Sequence, residues 1–194
     1  MASLVVASSN PGKIAELVDL LGDRYSVLPR PTDLPDTVED GETLEANATK
    51  KAAEVSAFTG STALADDTGL FVDALEGRPG VRTARFAGPD ATNEQNVAKM
   101  LAELAGVENR RARFRTVIAL TDPSGTTRLA SGAVEGIITT EPRGSDGFGY
   151  DPIFVPDDGD GRTFAEMDLA DKQHVSHRAR ALQALLQQLR QPGG

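Results

Sequence analysis

Two adjacent carboxylates stand in the run Ala65-Asp66-Asp67-Thr68-Gly69, directly after the apolar Ala63-Leu64. Ala63-Leu64-Ala65 reads as a short strand that delivers the pair at its end, and Phe71-Val72 as a continuation of the sheet. Carboxylates placed there are costly to bury without partners. A hard cation such as Mg²⁺ removes that cost, because it takes carboxylate and phosphate oxygens together. Successive strand side chains point to opposite faces, so one aspartate can face a ligand while the other braces the loop. An Asx-turn or a helix cap is the alternative reading. Acidic partners for a cation are at hand in Glu39-Asp40, Glu42 and Glu45.

Three further groups of residues have chemical potential. In Ser8-Ser9-Asn10-Pro11-Gly12-Lys13 a strand feeds a small-residue turn into a helix. Such a turn offers backbone N–H groups to an anion, and Lys13 adds a positive charge. It is not a Walker A loop: no glycine lies five positions before Gly12, and Ile14 stands where Ser or Thr is required. In Gly147-Phe148-Gly149-Tyr150-Asp151-Pro152 two aromatics alternate with glycines ahead of a carboxylate. An aromatic ring there can stack on a planar base while the carboxylate accepts from a base N–H, or the segment is simply an aromatic-anchored turn. Lys172 with Ser176-His177-Arg178 forms the last group. Positive charge at a helix N-terminus opposes the dipole, and a bound anion or electron-rich carbonyl would relieve the conflict. Two other patterns fail. Arg162 stands where an EF-hand loop starting at Asp158 needs Asp or Asn, and no Gly-x-Ser-x-Gly occurs.

The elements that must position these groups follow from periodicity. Leu4–Ala7 reads as a buried strand, and Ile14, Leu17, Val18 and Leu21 mark a helix beginning near Lys13. Val27-Leu28 suggests a second strand, and Pro29–Asp40 a loop. Thr43 is an N-cap for an alanine-rich helix running to about Phe58, on which Asn47 and Lys51 lie one turn apart on a common face. Thr92 and Gln95 form a capping box for a helix through Leu104. Arg113–Leu120 and Arg128–Thr139 read as a hairpin about Asp122-Pro123-Ser124-Gly125, and Phe154-Val155 as a further strand. Ser176 caps a last helix with the stripe Leu182, Leu185, Leu186 and Leu189. Gln191–Gly194 reads as a frayed tail. Interspersed strands and helices with one antiparallel hairpin indicate an α/β or α+β chain with a mixed sheet, with no convincing run of βαβ units.

Composition narrows the classes. The 194 residues carry 39% hydrophobic and 25% charged side chains, enough for a substantial core. With no cysteine, disulfides and cysteine-based zinc sites are excluded. A net charge of −9 disfavours long polyanions, so no nucleic-acid polymer is expected as a partner, whereas a small anion needs only local cations. No stretch approaches the ~18 apolar residues of a membrane span. The N-terminus does not read as a signal peptide, and a cytoplasmic protein with no membrane partner is expected.

Taken in order, these segments resemble the inosine triphosphate pyrophosphatase family, which removes deaminated purine nucleotides from the precursor pool. The similarity runs from Leu4 to about Leu189. It rests on Ser9-Asn10-x-x-Lys13-x-x-Glu16, Ala65-Asp66-Asp67-Thr68-Gly69-Leu70, Gly77-x-Pro79-Gly80-Val81-x-x-Ala84-Arg85, Phe148-Gly149-Tyr150-Asp151-Pro152 and Ser176-His177-Arg178. The resemblance implies a single α/β domain: an elongated mixed sheet flanked by helices, in two lobes with a ligand cleft between them. It also implies a homodimer and Mg²⁺-dependent conversion of ITP, dITP and XTP to the monophosphate and pyrophosphate. By position, Ser8, Ser9, Asn10, Pro11, Gly12 and Lys13 would hold the triphosphate, with Lys51 nearby. Glu39 and Asp67 would hold the metal, and Asp67 would activate water. Thr68 would touch substrate. Phe148 would stack on the base in a pocket lined by Gly149, Tyr150 and Asp151, and Lys172, His177 and Arg178 would bind the purine. Two departures stand out: Ala46 precedes Asn47 where many relatives have an acid, and no tryptophan lies near Val134. A nucleotide-binding module without turnover, or a pyrophosphatase for other modified nucleotides, is the alternative.

Overall fold

The computed structural model of the chain describes residues 2–190. The expected frayed tail at 191–194 lies outside the described residues. The chain divides into two compact units. Unit 1 comprises Met1–Asp67, Thr116–Gly132 and Arg178–Gly194; unit 2 comprises Thr68–Arg115 and Ala133–His177.

Unit 1 begins with strand β1 (Ala2–Val6), helix α1 (Pro11–Leu21) and strand β2 (Tyr25–Leu28). Helix α2 (Leu44–Thr59) then leads to strand β3 (Ala63–Val72). Strand β1 pairs in parallel with β2, Leu4 opposite Val27, and with β3, Val6 opposite Leu64. Two consecutive βαβ crossovers are therefore present where the sequence suggested none. They are hard to see because β2 is short and the proline-rich loop separates it from α2. Helix α1 starts at Pro11 rather than near Lys13. Proline lacks the N–H that the first helical residue does not need, and Asn10 caps the helix. Leu17 and Leu21 pack with Leu4, Val6, Leu64 and Ile118 in the core of this unit. Helix α2 is capped by Thr43 and ended by Gly60 in the left-handed conformation. It buries Ala48, Ala52 and Val55.

Strand β3 corrects a sequence expectation. It does not end at the aspartates but runs through them to Val72. Asp and Gly are depleted in strands, so the run Asp66–Gly69 looks like a terminus. The continuation is held by strand β4 (Pro79–Gly80), antiparallel to it with Leu70 opposite Gly80. Gly69 permits that approach: a Cβ there would stand 2.8 Å from the Gly80 carbonyl oxygen and 2.8 Å from the Phe71 ring.

Unit 2 continues with helix α3 (Asn93–Glu103), whose capping box of Thr92 and Gln95 forms as read from the sequence. Strands β5 (Arg111–Thr121) and β6 (Thr127–Ile138) are neighbours joined by five residues, which only an antiparallel hairpin allows. Strand β7 (Phe154–Pro156) pairs antiparallel with β6. Helix α4 (Leu169–Val175), capped by Asp168, is an element the sequence reading missed. Its seven residues are too few to show a helical period. Helix α5 (His177–Arg190) closes the chain directly after Ser176. Phe114, Val134, Tyr150, Phe154, Phe164 and Met167 are among the core residues of unit 2. Val134 is thus a packing position.

The sheet order is β2-β1-β3-β5-β6-β7, with β4 beside β3. The fold is α/β with a mixed sheet flanked by helices. No helix among the described residues is long and apolar enough to cross a membrane. Gly69→Ala is expected to destabilise the protein by about 1–3 kcal/mol, the usual cost of an overpacked position. Urea denaturation checks this; an unchanged midpoint would show that β4 yields freely.

Candidate active site

In an open parallel sheet, ligands bind beyond the carboxyl ends of the strands where the winding direction reverses. Here β2 and β3 flank β1, so the reversal lies beside β1. The last register pair is Val6 with Leu64. Residues 7–13 and 65–67 therefore extend past it together, and Ala7 N–H donates to the Leu64 carbonyl at 2.7 Å. The turn is less open to an anion than its sequence suggested. Asn10 Oδ1 accepts from the N–H groups of Gly12 (2.9 Å) and Lys13 (3.2 Å), and Ser8 Oγ accepts from Asn10 N–H. Ser9 and Asn10 are themselves exposed.

The alternation of β3 sends the aspartates to different neighbours. Asp66 Oδ2 lies 3.2 Å from Lys13 Nζ and accepts from Arg178 Nε and Nη2 at 3.2 and 3.1 Å. Arg178 Nη1 also donates to Glu16 Oε2. Burial would push the Asp66 carboxyl up, but Lys13, Arg178 and Lys51 outweigh it and hold it well below the ordinary carboxylate range. Burial likewise works against the Arg178 charge, and Asp66 and Glu16 more than restore it. The positive charge that opens α5 therefore finds its anions within the protein. Arg178 is 1% exposed. Its guanidinium donates to the carboxylates of Asp66 and Glu16, where the resemblance implied a purine.

Asp67 meets α2 instead. Asn47 Nδ2 donates to its Oδ2 at 3.1 Å, and Lys51 Nζ to its Oδ1 at 3.0 Å. Lys51 Nζ also donates to Glu39 Oε1 at 2.8 Å. The loop bearing Glu39 is tied to the same helix, because Asn47 Oδ1 accepts from Gly41 N–H at 2.9 Å. Burial pushes the Asp67 carboxyl above its ordinary value; Lys51 opposes the rise and Glu39 adds to it. Burial works against the Lys51 charge too, but Asp67, Glu39 and Asp66 raise its pKa overall. Of the other acidic candidates, Asp40 pairs with Lys50 at 2.8 Å. Ala46, where the resemblance led to an acid being expected, is exposed.

No group of three or more His, Cys, Asp or Glu able to hold a metal occurs among the described residues. Glu39 and Asp67 still suit Mg²⁺, which binds through one or two carboxylates plus substrate phosphates rather than a full protein cage. Two carboxylates share one ammonium here, a hard-oxygen set with negative charge to spare.

A second cluster lies within unit 2. Asp151 Oδ2 accepts from Phe148 N–H at 2.8 Å and from Lys172 Nζ at 2.6 Å. Lys172 Nζ stands 4.9 Å from the Phe148 ring centroid and 5.4 Å from that of Phe164. Gly147, at φ +77°, wraps this carboxylate so closely that a Cβ would meet Asp151 Oδ2 at 2.1 Å. His177 stacks on Phe114 at 4.7 Å. Phe148, Gly149 and Thr68 are half-buried. Tyr150 is a core residue whose hydroxyl donates to the Thr83 carbonyl, and burial pushes its pKa up. Phe114 and Phe164 escaped the sequence reading because isolated aromatics look like any core residue. Glu16, though part of a motif, carried no sign of its arginine partner 162 positions away.

The sequence profile of the Ham1 family matches residues 4–188. A dITP/XTP pyrophosphatase of Shouchella clausii is 49% identical, the match covering 95% of each chain. One from Geobacter sulfurreducens is 48% identical, again over 95% of each. The solved structure of a HAM1 protein from Coxiella burnetii superimposes with a TM-score of 0.86 at 40% identity, covering 97% of this chain and 98% of that one.

Arg178→Met strands Asp66 and Glu16 in the interior and is expected to cost about 3–5 kcal/mol at neutral pH. Asp66 has a folded pKa below its unfolded value of about 3.9, so its stabilisation is present above that pH and fades as pH falls towards the folded value. The deficit of the variant should accordingly shrink on acidification below about pH 4. Denaturation curves across that range check the sign; a deficit independent of pH would contradict it.

Proposed function

The chain belongs to the Ham1 family, and on that premise we propose that it hydrolyses nonstandard purine nucleoside triphosphates, ITP, dITP and XTP, to the monophosphate and pyrophosphate. The observation that carries the reading is Asp67: a buried carboxylate at the strand reversal, raised in pKa and shared with Lys51 and Asn47. The names of the relatives give dITP and XTP among these substrates. The work of the enzyme would be to cleanse the nucleotide pool of the cytoplasm.

In this reading Ser8 to Lys13 and Lys51 bind the phosphate chain. Lys13 and Lys51 are the cations at the strand reversal, and the Asn10 cap fixes the turn that carries Lys13. Glu39 and Asp67 hold Mg²⁺, which when bound supplies neutralisation of the charge on the phosphate oxygens. Asp67 orients the water and takes its proton as the water oxygen bonds to the α-phosphorus. The bond to the α–β bridging oxygen breaks, and that oxygen leaves with pyrophosphate. Lysine charge adds to the stabilisation of the transition state. Asp66, Arg178 and Glu16 position Lys13 and the strand.

For the base, Phe148 supplies a ring face and Lys172 a donor, with His177, Gly149, Tyr150 and Thr68 proposed to complete the pocket; Asp151 orients both Phe148 N–H and Lys172. A donor aimed at a purine 6-oxygen meets a second donor in the 6-amino group of ATP, and an unpaired buried group costs about 1–3 kcal/mol. The homodimer implied by the sequence belongs to this reading, and a single-chain mass in sedimentation would remove it.

The test is incubation with ITP, XTP, ATP and GTP plus Mg²⁺, with products identified by phosphorus NMR. Monophosphate and pyrophosphate from ITP and XTP are expected; orthophosphate with a diphosphate would overturn the reading, and no turnover would favour a binding module. Asp67→Asn should lose most of kcat while folding normally. Because the folded pKa of Asp67 is raised, its ionisation weakens the fold as pH climbs above the unfolded value of about 3.9. The variant should therefore gain stability over the parent through that rise and not below it. Near-normal kcat, or a variant less stable at neutral pH, contradicts the assignment.

A further inference from the structure

Lys51 occupies an unexpected place for a phosphate-binding lysine. Its ammonium donates to Glu39 Oε1 at 2.8 Å and Asp67 Oδ1 at 3.0 Å, the two carboxylates proposed to hold the metal. It is not held there loosely. The residue is 8% exposed on α2, one turn beyond Asn47, which takes the other oxygen of Asp67 and anchors the Glu39 loop through Gly41. An ammonium is a compact point charge with three donors and no acceptor. It cannot share the same carboxylate oxygens with a dication without strong repulsion.

A divalent ion arriving alone must therefore displace Lys51 and leave its charge half-buried without an acceptor. A triphosphate changes the situation. Its anionic oxygens receive the ammonium and bring further hard ligands to the metal, so both cations remain compensated. From this geometry we infer that Lys51 is a cation placeholder: it holds Glu39 and Asp67 in the nucleotide-free protein and yields them to a metal that arrives with a triphosphate. The inference rests on the reading of Glu39 and Asp67 as the metal-holding pair. Its consequence is coupling between metal and nucleotide, which by linkage is reciprocal. The free protein would then stay poor in bound metal yet keep its carboxylates positioned by one lysine.

Titration of Mn²⁺ alone into the nucleotide-free parent, Lys51→Met and Lys51→Gln, with free ion counted by electron paramagnetic resonance, tests this. Glutamine keeps a polar group at the position should methionine disturb folding, which circular dichroism reports. Both variants are expected to bind Mn²⁺ at least about ten-fold more tightly than the parent, within the usual span of coupled sites. Adding Glu39→Gln to either variant should abolish the gain. Equal or weaker binding in a folded variant overturns the placeholder role, and a gain that survives Glu39→Gln overturns its assignment to this pair. A parent that turns over ITP with Mg²⁺ while its Lys51 variants bind Mn²⁺ no better leaves the pyrophosphatase reading intact and removes this one. A parent without turnover removes both.

Discussion

A β-strand cannot turn two neighbouring side chains to the same side, and Asp66-Asp67 lie in the middle of one. Everything around the candidate site answers that constraint. The first carboxylate faces α1 and α5, the second faces α2, and each needs its own cations because neither can be left charged and alone in the interior. On the Asp66 side the named charges balance: Asp66 and Glu16 against Lys13 and Arg178. On the Asp67 side two carboxylates face one ammonium. The two sides are coupled across the strand, since Lys51 also acts on Asp66 and Lys13 on Asp67, but each aspartate keeps its own hydrogen-bond partners.

The two networks have opposite thermodynamic signs. Asp66 is more comfortable ionised in the fold than out of it, while burial leaves Asp67 less so. A charge held at a cost is a common mark of a functional position. The balanced network offsets part of that cost by fixing the strand, α1 and α5 around it. The same division explains Arg178: helix-start conflicts call for an anion, and the protein provides two of its own.

Much of this was legible in the sequence. The Asn10 turn, the Thr43 and Thr92 caps, the hairpin and the shared face of Asn47 and Lys51 follow from local rules that act over a few residues. The idea that the aspartates point apart followed from the strand period. What could not be read was long-range. Nothing near Arg178 announces Glu16, and nothing near Glu39 says that Lys51, rather than a metal alone, bridges it to Asp67. The unbroken run of β3 through Asp66–Gly69 to Phe71-Val72 was hidden because Asp and Gly imitate a strand end, and helix α4 because one short stretch shows no period. The base-recognition roles proposed for Phe148, Lys172 and His177 came from resemblance; the structure itself shows Lys172 on Asp151 and His177 on Phe114.

The asymmetry of the two aspartates is the centre of this account, and carboxyl carbon NMR of the nucleotide-free protein over a pH titration measures it directly. Asp67 is predicted to titrate above the ordinary value of about 3.9 while Asp66 stays ionised well below it. Two carboxyls that titrate together near that value would contradict the division of labour on which the rest is built.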